Sequence, residues 1–121
     1  MIEIRGDQTL EQLHQAIFQA YDRWDGHAYE FQFGRRPYDP EGPNYGGHGA
    51  TPAHPDGRDA RTITLDELSL RKGRVFGYWF DFGDDWFHQV QLEKIDTAIA
   101  SVTYPRVTRR VGKSPPQYPE D

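Results

Sequence analysis

Two runs of alternating aromatic and polar residues, 76–82 and 86–92, flank Gly83-Asp84-Asp85, and this arrangement constrains the chain more than any other. Alternation with a period of two is the mark of a strand, and a glycine followed by two aspartates is turn chemistry, so the spacing predicts a β-hairpin. Phe76, Tyr78, Phe80 and Phe82 then share one face, and so do Trp86, His88, Val90 and Leu92. A face this aromatic has to be covered by another layer. The same fold crowds Asp81, Asp84, Asp85 and His88 towards the tip.

A covering helix is written near the start. Thr9 is a good N-cap and Gln12, three residues on, completes a capping-box pattern. Leu10, Leu13, Ile17 and Ala20 or Tyr21 recur at helical spacing, which predicts a helix from about Leu10 to about Asp22, with Gly26 beyond its end. Before it, residues 2–5 suit a short strand. After it, Tyr29, Phe31 and Phe33 fall on one face of a strand over 27–33. Residues 62–64 read as a further strand, and Thr64 to Leu68 repeats the capping pattern ahead of a brief helical turn. The expected fold is α+β, with one main helix packed on a mainly antiparallel sheet that contains the long aromatic hairpin. Its expected core is Leu10, Leu13, Ile17, Tyr29, Phe31, Phe33, Leu65, Leu68, Phe76, Tyr78, Phe80, Trp86, Val90 and Leu92.

At 121 residues the chain is expected to be a single domain over 1–121. Only 36% of its residues are hydrophobic while 14% are aromatic, so a few large rings must supply much of the buried area. Residues 35–61 hold five prolines and five glycines and few aliphatic side chains, so a long connection is expected there, either mobile or serving as a lid. The prolines of 104–121 predict an extended tail lying over the surface.

Cysteine is absent, which excludes disulfides, thiolate zinc sites and a cysteine nucleophile. No segment approaches the run of about 20 apolar residues that spans a bilayer, and residues 1–5 have no apolar run of a signal peptide, so the expected location is the cytoplasm. A net charge of −5 argues against a general nucleic-acid binder. Arg106, Arg109, Arg110 and Lys113 nevertheless form a local basic cluster, readable as solvated surface or as a weak phosphate-binding patch.

The chemistry-bearing residues admit two readings. Asp81, Asp84, Asp85 and His88 are hard or borderline donors that suit manganese, magnesium or zinc. Alternation sets Asp81 and His88 on different faces, however, so the preferred reading makes His88 a buried or half-buried histidine whose ring nitrogens bond to a carboxylate or backbone group, and Asp84 and Asp85 turn residues that accept backbone N–H bonds. Should the helix cross the sheet, His14 beside its apolar stripe would meet His27, Glu30 and His88. Trp86 is either core or a recognition residue. No serine-hydrolase, metalloprotease, phosphate-loop or dinucleotide motif is present. No cofactor is implied.

Three segments, 9–17, 27–31 and 80–88, together with the tail from Tyr104-Pro105-Arg106 to Pro119-Glu120-Asp121, resemble in order and spacing the plasmid pRiA4b ORF-three-like family, which is found on plasmids and beside mobile elements. The resemblance implies an α+β fold with a sheet packed on helices and brings no established activity. Members often carry an additional strand before the one matching residues 2–5, and cysteines where this chain has Val107 and Ser114, so a thiol-based role does not carry over. The resulting expectation is a non-enzymatic protein-binding or accessory module acting on a protein partner. The alternative is a metal-assisted hydrolase or nuclease built on the acidic tip and the histidines.

Overall fold

The computed structural model describes residues 1–24, 26, 28–34, 43–47, 58–81 and 86–109. Its elements run β1 (Ile2–Glu3), α1 (Leu10–Ala20), β2 (Tyr29–Gln32), β3 (Asn44–Gly46), β4 (Arg58–Asp59), a 3₁₀ turn (Asp66–Leu68), β5 (Val75–Phe80), β6 (Trp86–Gln91) and β7 (Arg106–Val107). The aromatic hairpin forms in the register its alternation requires. Phe76 faces Val90, Tyr78 faces His88 and Phe80 faces Trp86 across the antiparallel pair β5–β6. Strand β2 joins the other side of β5, antiparallel, with Phe31 opposite Tyr78 and Tyr29 opposite Phe80. The sheet order is β4-β3-β2-β5-β6, antiparallel except for the parallel pair β3–β4, and β1 pairs separately with β7.

Helix α1 begins where the sequence places it. Thr9 N–H donates to Gln12 Oε1 at 2.9 Å while Gln12 N–H donates to Thr9 Oγ1 at 3.2 Å, the reciprocal capping box. Two more of its unsatisfied first-turn donors are met from elsewhere in the chain. Leu10 N–H reaches Ile63 O and Glu11 N–H reaches Ala60 O, both at 3.1 Å. This corrects the strand expected over 62–64: its Ile63 carbonyl caps the helix instead of joining a ladder, and among the described residues an isolated bridge, Thr9 to Thr64, is the strand pairing that remains there. The second capping pattern also forms, with Thr64 N–H donating to Glu67 Oε1 and Glu67 N–H to Thr64 Oγ1.

The core lies between α1 and the inner face of the sheet. Leu10, Leu13, Ala16 and Ile17 of the helix meet Tyr29, Phe31, Phe33, Phe76, Tyr78 and Phe80 of the strands. Leu65, Leu68, Trp86 and Val90 are partly buried against this cluster, and Leu92, expected in the core, lies outside it. The stretch 35–61 is not one continuous loose connection. Within it β3 and β4 extend the sheet and bury Tyr45 and Ala60 in the core. Residues 35–42 and 48–57 of that expected loop, and 110–121 of the expected tail, lie outside the described residues.

Gly47 sits where the chain leaves β3, its N–H donating to Tyr29 O at 3.3 Å. A Cβ there would lie 2.6 Å from Tyr29 Cε1. The Tyr29 ring cannot swing away, because it is stacked on His14 at 3.7 Å. Gly47→Ala is therefore expected to cost about 1–3 kcal/mol by overpacking, read from urea unfolding; a neutral result would mean the ring has room to move.

Candidate functional site

The most chemically distinctive place in the molecule is a knot of polar side chains inside this aromatic core. Three elements build it. Helix α1 presents His14 on the buried side, one turn before Phe18. Strand β5 presents Tyr78, fully buried, and β6 presents His88 directly across from it. The fourth member, Arg23, arrives by the way α1 ends.

That ending is a Schellman turn. Asp22 takes the left-handed conformation with φ 53°. Its N–H donates to Gln19 O at 3.0 Å, and Arg23 N–H donates back to Phe18 O at 3.1 Å. The chain reverses there, four residues before Gly26, and the Arg23 side chain folds under the hairpin instead of entering solvent. Arg23 is only 8% exposed. Its guanidinium carbon lies 4.7 Å from the centre of the Phe80 ring, 4.8 Å from Tyr21 and 5.5 Å from Trp86, a cation held among aromatic faces.

The hydrogen bonds fix the protonation states. Arg23 Nη2 is 2.6 Å from His88 Nε2, and a guanidinium only donates, so Nε2 is the accepting, unprotonated nitrogen. The proton of His88 is then on Nδ1, which donates to the Tyr78 carbonyl at 3.2 Å. His14 Nδ1 is joined to the Tyr78 hydroxyl at 2.5 Å. Desolvation, reinforced by the Arg23 charge, holds both His14 and His88 down to about 4, well below the ordinary imidazole value. Burial pushes the Tyr78 and Tyr29 hydroxyls up, so both keep their protons. At neutral pH the knot is a neutral imidazole–phenol–imidazole set around one fixed positive charge. An imidazole that protonates only near pH 4 is a poor proton carrier at pH 7.

The other candidates lie elsewhere. Glu30, fully buried, is paired with Trp79 in the β2–β5 register and so occupies the face opposite His14 and His88. Its Oε2 accepts from Gln32 Nε2 at 3.0 Å. Convergence of Glu30 with the two histidines is therefore corrected: the two histidines meet around Tyr78, and the carboxylate is on the far side of the sheet. Asp81 is buried at the end of β5 with φ 61°, its N–H donating to Ala28 O at 2.9 Å. Among the described residues no three His, Asp or Glu side chains are grouped as a metal site would need. His27, Asp84, Asp85, Arg110 and Lys113 lie outside the described residues.

Of the basic cluster, Arg106 binds Glu3 at 2.5 Å and lies over the Tyr104 ring, while exposed Arg109 accepts the N-terminal ammonium at its carbonyl. Both line an open groove with Gln19, Thr103 and Val107. The Glu3 carboxylate already answers one of the two charges a phosphate would use. Sequence reasoning missed Arg23 altogether. It stands in a run, Asp22-Arg23-Trp24-Asp25, that reads as a solvated helix end. No helix of the described residues is long and apolar enough to cross a membrane.

Comparison with known proteins agrees with this architecture. A crystal structure titled as a protein of unknown function from Methanosarcina mazei Go1 superposes with a TM-score of 0.65 at 28% identity, over 86% of this chain and 56% of that one. The chain thus spans little more than half the length of that relative. A search of curated proteins gives no match. The family model described as plasmid pRiA4b ORF-3-like protein matches residues 1–120, and the chain belongs to that family.

Proposed function

We propose that the chain is a cytoplasmic, non-enzymatic binding module that takes an extended segment of a partner protein along β6. The observation that carries this reading is the nature of the edge. Among the described strands β6 is terminal in the sheet order, and its residues Trp86–Gln91 include no proline and no lysine. Soluble proteins blunt long edges with such residues, because unpaired strand backbone is a template for another chain. The opposite edge, β4, needs no such device, since it is two residues long. On the solvent side of β6, Phe87 is 49% exposed and stacks on Trp79 with ring centres 5.5 Å apart, beside exposed Gln89. A strand added to β6 gains main-chain bonds, and the Trp79–Phe87 pair gives its side chains an apolar surface to read.

The neutral histidines support the same reading by giving the core polar knot a packing role. The test is capture of a partner from host lysate by the full chain and by Phe87→Lys combined with Gln89→Lys. Both side chains are exposed, so the variant should keep its melting temperature within a few degrees, a change of under about 1 kcal/mol. It should lose a partner that the unaltered chain retains. Equal capture by both proteins would rule out β6 as the binding edge.

A further inference from the structure

Two hydrogen-bond donors at the outer end of the polar knot have no acceptor: Arg23 Nη1 and the indole Nε1 of Trp86. Neither can change roles, since guanidinium and indole nitrogens donate and never accept. They are neighbours, with the Arg23 guanidinium carbon 5.5 Å from the Trp86 ring centre. The guanidinium is charged as well as unsatisfied. Its surroundings are the neutral His88 ring and the faces of Tyr21, Phe80 and Trp86, and among the described residues no carboxylate pairs with it. Aromatic faces attract a cation but do not cancel its charge, and a cation 92% withdrawn from solvent is costly without an opposite charge.

What the place lacks is therefore specific. Two donors call for two acceptor lone pairs, and one fixed positive charge calls for one negative charge. A water molecule would answer the donors and leave the charge. A single oxyanion group answers both, placing one oxygen on Nη1 and another on Nε1, the pairing that makes arginine a preferred partner of carboxylate and phosphate. Both donor atoms are closed to solvent as the side chains stand, and one ring lying over Arg23 is that of Tyr21, itself 38% exposed, so a ligand reaches the donors by displacing that ring. We propose that Arg23 and Trp86 form a seat for one oxyanion group, a carboxylate or a phosphate, brought by a ligand from solution.

The experiment follows the side-chain N–H resonances of the full chain by NMR at pH 7 and constant ionic strength. Inorganic phosphate or sodium acetate is added, with sodium chloride as the control. The Trp86 indole N–H should shift saturably, together with Arg23 Nε–H, while the Trp24 and Trp79 indoles stay still. Trp86→Phe, which keeps the ring and removes the donor, should weaken binding about tenfold, as expected for losing one hydrogen bond to a charged group. Arg23→Gln should abolish the saturable shift of the Trp86 indole. Response to phosphate alone identifies a phosphoryl ligand; response to acetate identifies a carboxylate ligand. Shifts no different from those in chloride overturn the proposal. So does saturable binding that emerges only in Asp84→Asn with Asp85→Asn, because the chain's own carboxylates would then hold the seat.

Discussion

Acidification from pH 7 to pH 5 is expected to remove about 2 kcal/mol of folding stability for His14, and somewhat less for half-buried His88, well before ordinary carboxylates titrate. The direction follows from linkage. Both imidazoles titrate at about 4 in the folded protein against 6.5 when solvated. Between those values the unfolded chain binds protons that the folded chain refuses, so stability rises with pH through this window and falls as pH drops through it. Above 6.5 neither state is protonated and the penalty vanishes. Below about 4 both are protonated and the loss is complete.

The cause is physical: a second positive charge would have to enter a desolvated pocket already holding the Arg23 guanidinium. Urea unfolding at pH 7, 6 and 5 measures the loss, and His88→Gln should flatten the curve over the same interval. A stability that stays level from pH 7 to pH 5 would mean that both rings are solvated, and the buried knot would be wrong.

The sequence made the faces of the strands legible and the side of a turn illegible, and the reason is range. Alternation in 76–82 and 86–92 repeats several times, so the inner position of Tyr78 and His88 could be counted off before any pairing was known. The capping box at Thr9 and Gln12 is equally local and formed as written. Tyr45 belongs to a strand of three residues inside a glycine–proline stretch, too short for periodicity to show. Arg23 depends on a single left-handed aspartate that reverses the chain, where Gly26 gave the more conventional stop signal. Glu30 alternates as a solvent-facing residue should, yet is fully buried, because nothing in a strand's own pattern reveals whether its second face is covered. So the histidines of the candidate site could be anticipated, but the charge that governs them could not.

Replacing Tyr78 with alanine is expected to be the most damaging single substitution, at about 4–7 kcal/mol. Tyr78 is fully buried, with its ring 4.8 Å from Phe31 and 5.1 Å from His88. Truncating a buried aromatic typically costs about 3–5 kcal/mol in lost transfer energy and cavity. A further 1–2 kcal/mol, roughly, comes from leaving His14 Nδ1 without its partner in a dry interior. Against a total of about 5–15 kcal/mol for a domain, that is enough to leave the chain largely unfolded at 37 °C. Tyr78→Phe separates the two contributions, since it keeps the ring and removes only the hydroxyl, and should cost about 1–2 kcal/mol. It also leaves Arg23 and Trp86 untouched, so the oxyanion seat should survive it while the alanine variant loses seat and fold together. Denaturant unfolding of the two variants gives both numbers. A loss below about 2 kcal/mol for Tyr78→Ala would show that the pocket collapses around the gap, and that the histidines are held by the helix and the strand rather than by the tyrosine between them.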